Sequence, residues 1–173
     1  MITKQTFTIR PFLAKDVSQL AQVFHLSITL GASEYYNEQQ RAVWSPRLRS
    51  DDIWLDRLRG TFTWVAVCEH QIVGFINLKG GEQAQKQFTD FLLTAEIDCL
   101  FTHPDFVGQG VASALYTELE AKARCLNITQ LTVEASYLAK LFFERVGFDC
   151  TRQNQHLREG QMLVNFSMVK SLL

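Results

Sequence analysis

A glycine-containing turn between a strand and a helix constrains the fold of this chain most strongly. Residues 103–112 read HPDFVGQGVA, follow an apolar strand predicted over 95–102, and open an amphipathic helix that extends to about Leu126. Gly108 and Gly110 allow the backbone to approach a ligand closely because neither residue carries a Cβ atom. The first N–H groups of a helix have no intrahelical partner and lie at the positive end of its dipole. The pattern therefore predicts a pocket for an anion, most naturally a phosphate or pyrophosphate.

The glycine spacing alone leaves two interpretations open. The turn lacks the Gly-Lys-Ser/Thr of a P-loop and the three glycines of a dinucleotide-binding fingerprint. Two glycines also suit an ordinary strand-to-helix turn that binds no ligand. A second segment, residues 134–148 with the sequence EASYLAKLFFERVGF, follows the next predicted strand and favours the ligand-binding interpretation.

Together the two segments resemble the GNAT superfamily of N-acetyltransferases, whose phosphate loop reads Gln/Arg-x-x-Gly-x-Gly/Ala. The matching residues of this loop are Val107, Gly108, Gln109, Gly110, Val111 and Ala112. The later family motif, Ala-x-x-Phe-Tyr-x-x-x-Gly-Phe, matches Ala139, Phe142, Phe143, Gly147 and Phe148. Val107 replaces the usual Gln/Arg, and Phe143 replaces the usual Tyr. With Tyr35, Gln39 and Trp44 in its first third, the chain is similar to the YafP-like branch of the superfamily.

The resemblance implies one acetyltransferase domain over residues 1–173, of the α/β (α+β) class. The expected architecture is a mixed, mostly antiparallel sheet with a splayed central strand pair, flanked by helices. Periodicity and turn residues predict strands over residues 7–10, 61–69, 72–79, 95–102, 128–134, 148–156 and 161–169. They predict helices over residues 16–31, 38–43, 51–58, 111–126 and 138–146, with Asp16 and Gln19 as a capping box. The polar stretch 80–90 is expected to be an exposed loop.

The resemblance also implies acetyl-CoA as the cosubstrate, with its pantetheine arm between the strand that ends at Thr102 and the strand 128–134. Free strand edges can pair with such an extended, amide-bearing chain. Ser136 occupies a family position that contacts pantetheine, and it could equally cap the following helix. The cofactor-binding candidates are Leu100, Phe101, Thr102, Val107, Gly108, Gln109, Gly110, Val111, Ala112, Ser136, Ala139, Phe142 and Phe143.

Two carboxylates precede the glycine turn on the same predicted strand. Strand alternation places Ile97, Cys99 and Phe101 on one face, and Glu96 and Asp98 on the other. A primary amine with a pKa of about 10.4 is protonated at neutral pH, so its attack requires a base. A carboxylate in a partly dry cleft beside a like charge can accept that proton. Glu96 and Asp98 are therefore the catalytic candidates, although either could instead face solvent at the splayed edge.

Aromatic residues supply the remaining candidates. Phe143 cannot protonate a departing thiolate, so Tyr137, Tyr116 or water would have to do so if an acid is needed. The first helices usually form a wall of the acceptor site in this superfamily. The substrate-binding candidates are therefore Tyr35, Tyr36 and Trp44, which could equally form a small satellite core.

Composition excludes several other functions. Seventeen basic and eighteen acidic residues give a net charge of −1, which offers no support for nucleic-acid or membrane binding. The sequence contains neither an apolar signal-peptide core near its start nor a run of membrane-spanning length. The four cysteines include no Cys-x-x-Cys pair, so no metal site is predicted, and buried free thiols of a cytoplasmic protein are expected.

The sequence therefore predicts transfer of an acetyl group from acetyl-CoA to a primary amine by direct attack in a ternary complex. The acceptor could be a small molecule or a peptide, and the enzyme a monomer or a homodimer. Two alternatives remain at this point: a non-catalytic acyl-CoA sensor, and an unrelated α/β phosphate binder that merely resembles the loop.

Overall fold

The computed structural model describes residues 6–80 and 93–173, so most of the predicted loop over residues 80–90 lies outside the described residues. The strands are β1 Thr8–Pro11, β2 Phe62–Cys68, β3 Gln71–Lys79, β4 Thr94–Thr102, β5 Gln130–Ala135, β6 Asp149–Arg158 and β7 Gln161–Ser171. The α-helices are α1 Val17–Leu26, α2 Glu38–Trp44, α3 Asp51–Leu58, α4 Val111–Cys125 and α5 Tyr137–Arg145. A wider, π-helical turn over Ser27–Gly31 extends α1.

The strands form a seven-stranded sheet in the order β1-β2-β3-β4-β5-β7-β6. Every neighbouring pair is antiparallel except β4 and β5, which are parallel. This arrangement confirms the predicted mixed, mostly antiparallel sheet. None of the helices described is long and apolar enough to cross a membrane.

Each face of the sheet carries a hydrophobic core. Helix α4 packs on one face through the stripe predicted from helical spacing, which comprises Val111, Leu115, Leu119 and Ala123, all fully buried. Helices α1 and α3 cover the opposite face, where Leu20, Phe24 and Trp54 pack against Phe75 of β3. The chain thus sandwiches the β3–β4 region between two helical layers.

The central strands separate after four paired positions. Strand β4 pairs with β5 only from Thr94–Gln130 to Ile97–Val133. Beyond this point β4 remains paired with β3 as far as Thr102, whereas β5 continues beside β7. The predicted splayed central pair is therefore confirmed.

A β-bulge at Asp98 coincides with the start of the splay. Asn77 of β3 pairs with Cys99 while Leu78 pairs with Ile97, so Asp98 is an extra residue on β4. Ile97 packs in the core under α4, whereas Cys99 and Phe101 pack with α1 and α3. The prediction that Ile97, Cys99 and Phe101 share one face is therefore wrong, because the extra residue breaks the two-residue alternation.

The predicted capping box of Asp16 and Gln19 also requires correction. The carboxylate of Asp16 does not cap α1, since it accepts two hydrogen bonds from Arg10, at 2.6 and 2.8 Å, and one from the Leu13 N–H. The amide oxygen of Gln19 instead accepts from the Ile72 N–H at 2.8 Å, which ties α1 to β3.

The cysteines are unpaired, but they are not all buried. Cys68 and Cys99 lie in the cores, whereas Cys125 and Cys150 are exposed. Cys125 is the last residue of α4 and Cys150 lies on the outer strand β6, so neither position is covered by another layer.

Candidate functional site

The splay between β4 and β5 opens into a cleft of about 570 Å³. One wall is the end of β4 with the following glycine turn, the other is α5, and the π-helical turn after α1 closes one end. The lining residues are Ser27, Ile28, Gly31, Ala32, Trp44, Leu100, Phe101, Thr102, Phe106, Val107, Gly108, Gly110, Val111, Ala112, Ser113, Ser136, Leu138, Ala139, Phe142, Arg145 and Val146. Most of the predicted cofactor-binding residues are therefore brought together in one cavity.

The glycine turn presents free backbone donors to this cleft. Gly108 and Gly110 have φ angles of 78° and 90°, a region that side-chain-bearing residues rarely adopt. A Cβ atom built at either glycine would meet no atom within 4 Å, so the space above both is open. The Ala114 N–H donates to the Gly110 carbonyl at 3.0 Å, which leaves the earlier N–H groups of α4 without an intrahelical acceptor. This geometry fits a bound phosphate.

Two residues of the turn differ in placement. Val107 lines the cleft with about half of its surface exposed, at 52%. Gln109 does not line the cleft, because its side-chain amide donates to the Asp105 carbonyl at 2.8 Å. This hydrogen bond stabilises the short 3-10 turn Pro104–Phe106, and the Gln109 side chain does not extend into the cavity.

Helix α5 forms the facing wall. The Ser136 hydroxyl accepts from the Ala139 N–H at 3.2 Å and also lines the cleft, so the helix-capping and ligand-facing positions coincide. Phe142 borders the cavity, whereas Phe143 is only 1% exposed and packs against Phe148 with ring centres 5.0 Å apart. Phe143 therefore lies behind the cleft wall, in the core.

Arg145 is a cleft residue that the sequence reasoning missed. It stands three positions after Phe142 and six after Ala139, so helical spacing puts all three on the same face of α5. That spacing was the available signal. Arg145 adds a positive charge to a cavity whose opposite wall presents free N–H groups.

The carboxylate of Asp98 is paired with two cationic side chains. Its carboxylate accepts from Arg57 of α3 at 3.1 and 3.2 Å and from Lys79 of β3 at 2.9 Å. Burial alone would raise the pKa of Asp98, but these hydrogen bonds and charges hold it at about 2. A carboxylate that is so strongly paired is a poor proton acceptor, and its contacts fix the bulge and α3 together.

Glu96 is exposed and pairs with no cation among residues 6–80 and 93–173. Because Ile97 faces α4, Glu96 projects from the opposite face, which also carries Arg57 and Asp98. Glu134 of β5 is a second carboxylate on this face that the sequence reasoning did not single out. It accepts from the Ser167 hydroxyl at 2.6 Å and from the Asn154 amide at 3.0 Å.

The two tyrosines considered as acids both lie outside the cleft lining. The Tyr116 hydroxyl accepts from Lys170 at 3.0 Å, and burial beside Glu120 raises its pKa. Tyr137 packs edge-on against Phe166, with ring centres 5.0 Å apart.

The three acceptor candidates form one aromatic group with different exposures. Trp44 borders the cleft and meets the Tyr36 ring edge-on at 5.3 Å. Tyr36 is buried; its hydroxyl donates to the Val164 carbonyl at 2.9 Å and accepts from the Tyr137 N–H at 3.2 Å. Tyr35 is partly exposed and stacks parallel to Tyr137 at 6.4 Å. Trp44 is thus the member of this group that reaches the cavity.

Within residues 6–80 and 93–173, no three His, Cys, Asp or Glu side chains converge in a way that could hold a metal ion.

Comparison with known proteins connects this cleft to a family. Residues 32–170 match the family described as acetyltransferase (GNAT) domain. The chain is 33% identical over 160 residues to the uncharacterized N-acetyltransferase YafP of Escherichia coli, covering 92% of this chain and 93% of that protein. A GCN5-related N-acetyltransferase structure from Rhodopseudomonas palustris superimposes with a TM-score of 0.82 at 32% identity, covering 99% of both chains.

A more distant structure shares the fold alone. The PaiA N-acetyltransferase from Thermoplasma acidophilum, solved with coenzyme A, has a TM-score of 0.73 at 18% identity, covering 96% of this chain and 99% of that one. The family match spans the splayed strands, the glycine turn and α5, which are the elements that build the cleft. This chain therefore belongs to the GNAT family of N-acetyltransferases.

Proposed function

We propose that this enzyme transfers an acetyl group from acetyl-CoA to a primary amine by direct attack within a ternary complex. The observation that carries the proposal is the combination of a splayed β4–β5 pair with open space above Gly108 and Gly110. The free N–H groups at the start of α4 would hold the pyrophosphate, and Arg145 would add a cation from α5. The unpaired backbone groups on the β5 side of Leu100–Thr102 would bind the pantetheine arm.

Glu96 is the base in this proposal. It is exposed on the sheet face that carries α1 and α3, while Asp98 on the same strand is committed to Arg57 and Lys79. Asp98 accordingly positions the bulge instead of accepting the proton of the amine. Acetyl-CoA supplies an activated thioester, and holding both reactants in one cleft supplies much of the rate through proximity.

Trp44 would border the acceptor, since it lines the end of the cleft near the π-helical turn. Substitution of Trp44 by Ala should raise the KM for the amine far more than the KM for acetyl-CoA. The proposed setting is cytoplasmic, which rests on four unpaired cysteines, two of them exposed.

The central experiment measures acetyl-CoA binding by calorimetry and coenzyme A release across an amine panel. Glu96→Gln should lower kcat/KM by roughly 10²-fold at neutral pH, with a smaller deficit at higher pH where free amine is available. Glu118→Gln, on an exposed face of α4, is the matched control and should leave kcat/KM unchanged. Binding without turnover on any amine would instead identify an acyl-CoA sensor, and failure to bind would reject the assignment of the cleft.

A further inference from the structure

Arg49 is a half-buried cation on the face of the sheet that α1 and α3 cover. It lies in the segment between α2 and α3, with its Cζ atom 4.9 Å from the centre of the Phe24 ring. Phe24 in turn meets Phe101 edge-on at 4.8 Å, and Phe101 lines the cleft at the splayed part of β4. One aromatic ring therefore lies between this guanidinium and the cleft wall.

No carboxylate among the described residues neutralises Arg49. Within residues 6–80 and 93–173 it makes neither an ion pair nor a side-chain hydrogen bond, whereas its neighbour Arg57 is paired with Asp98. Burial and the nearby charges of Arg57 and Arg158 all lower the pKa of Arg49. A guanidinium group does not lose its proton at physiological pH, so this region carries an uncompensated positive charge.

Arg158 is a second guanidinium group, far from Arg49 in the sequence. It is the last residue of β6, exposed, at the tip of the β6–β7 hairpin. Helix α2 holds this hairpin in place, because the Gln40 side-chain amide donates to the Met162 carbonyl at 2.8 Å. The hairpin therefore lies beside α2, and the charge of its Arg158 contributes to the lowered pKa of Arg49.

We propose that the acceptor amine carries an acid group, a carboxylate or a phosphate, and that Arg49 binds it with Arg158 as its partner. This inference rests on the proposed function and names the class of its substrate. A guanidinium group binds such oxyanions through paired N–H donors, and partial burial strengthens the interaction relative to water. The acid group would anchor the acceptor on the face where Glu96 projects.

A binding experiment tests this proposal without requiring turnover. Phenylacetate, phenylphosphonate and neutral phenylacetamide are titrated by calorimetry into the protein saturated with coenzyme A. The wild-type protein should bind at least one acid about tenfold more tightly than the amide, equivalent to about 1.4 kcal/mol. The acid that binds more tightly indicates whether the natural group is a carboxylate or a phosphate.

The variants identify the residue responsible. Arg49→Gln should remove the preference for acids and Arg49→Lys should retain part of it. Arg158→Gln should weaken the preference, while Arg47→Gln, at an exposed site in the same segment, should leave it intact. Equal affinity for acid and amide in the wild-type protein would overturn the proposal, as would an unchanged preference in Arg49→Gln. If Arg49→Gln does not fold, the comparison of Arg49→Lys and Arg158→Gln with Arg47→Gln decides in the same way.

A kinetic comparison separates this inference from the proposed function. Phenylalanine and phenethylamine differ by one carboxylate, and the wild-type kcat/KM should be about tenfold higher for phenylalanine. Arg49→Gln should raise the KM for phenylalanine and leave that for acetyl-CoA unchanged. Equal rates for both amines would refute the acid-group site while leaving amine acetylation intact. Absence of coenzyme A binding would instead refute the proposed function.

Discussion

At the scale of single residues, Asp98 links charge to strand geometry. It is the extra residue of the β4 bulge, and it binds cations from α3 and β3 at once. The strands separate immediately after Ile97, so the carboxylate lies where the cleft begins. A bulge of this kind bends its strand and redirects the side chains that follow. The ion pairs of Asp98 therefore help to shape a cavity whose lining does not include it.

Asp98→Asn should lower the free energy of unfolding by about 2 kcal/mol at neutral pH, because a carboxyl pKa reduced from 3.8 to about 2 corresponds to roughly that amount. The lowered pKa stabilises the fold above pH 4, and this contribution is lost as pH falls toward 2. Urea unfolding at several pH values should show the difference between wild type and variant shrinking in that interval. Asp56→Asn, at an exposed ion pair, should change stability little; a pH-independent deficit in Asp98→Asn would contradict the ion-pair explanation.

At the scale of elements, the close packing of α4 on the sheet positions the glycine turn that precedes this helix. Gly74 of β3 lies beneath the first turn of this helix, where an added Cβ would come within 2.7 Å of the Val111 side chain and 3.1 Å of the Phe101 carbonyl. The helix approaches β3 closely because this strand residue has no side chain. Val111, Ala112 and Ser113, which carry the free N–H groups of α4, line the same cleft as Thr102.

Gly74→Ala should destabilise the protein by about 1–3 kcal/mol and weaken acetyl-CoA binding, since α4 would have to move away from the sheet. Thermal unfolding and calorimetry measure the two effects. Gly31→Ala, where the nearest atom would be 3.7 Å away, should unfold close to the wild-type temperature. Unaltered stability of Gly74→Ala would mean that α4 shifts without cost.

Gly110→Glu should abolish acetyl-CoA binding in a folded protein, because the new carboxylate would fill the proposed phosphate site and repel the ligand. Gly160→Glu is the matched control, since Gly160 also has a positive φ angle and open space but lies in the β6–β7 turn. Both variants should share a backbone penalty of about 1 kcal/mol. Calorimetry that gives near-normal affinity for Gly110→Glu would reject the glycine turn as the phosphate site.

Local patterns account for what could be predicted at this scale. The glycine turn and the buried stripe of α4 follow from spacing within continuous segments, and the splay follows from the family resemblance. The bulge could not be predicted, because the partners of Asp98 are Arg57 and Lys79, which are 41 and 19 residues away in the sequence. The role proposed for Arg49 likewise depends on Phe24 and Arg158. Both are distant from Arg49 in the sequence and are related to it only through the fold. By contrast, the helical spacing of Arg145 relative to Ala139 and Phe142 was sufficient to predict it as a cleft residue.

At the scale of the whole molecule, Tyr36 connects the first third of the chain to the last. Its hydroxyl bonds to Val164 of β7 and to the first N–H of α5, across 128 and 101 residues. The sequence left Tyr36 either in the acceptor wall or in a small satellite core. Its buried ring and two hydrogen bonds join the segment before α2 to the C-terminal half of the chain. The acceptor side of the cleft is therefore assembled from distant parts of the chain.

Tyr36→Phe should cost about 1–3 kcal/mol of stability, because it leaves the Val164 carbonyl and the Tyr137 N–H unpaired in a buried site. The Tyr35 ring is partly exposed, and its hydroxyl makes no hydrogen bond to any of the described residues. Tyr35→Phe should therefore lower the free energy of unfolding by less than about 0.5 kcal/mol. Urea denaturation of both variants tests the comparison. Equal stability of the two would show that the Tyr36 hydroxyl is exchanged for water without loss.

The short β4–β5 pairing affects how readily the folded protein opens and is degraded. In the sheet itself, four β4–β5 residue pairs join the half-sheet of residues 8–102 to that of residues 130–171. A ligand that binds only the folded chain stabilises it by about 2.7 kcal/mol at one hundred times its Kd. Acetyl-CoA, wedged between the half-sheets, would protect this junction from opening, so we expect proteolytic turnover to slow when acetyl-CoA is abundant.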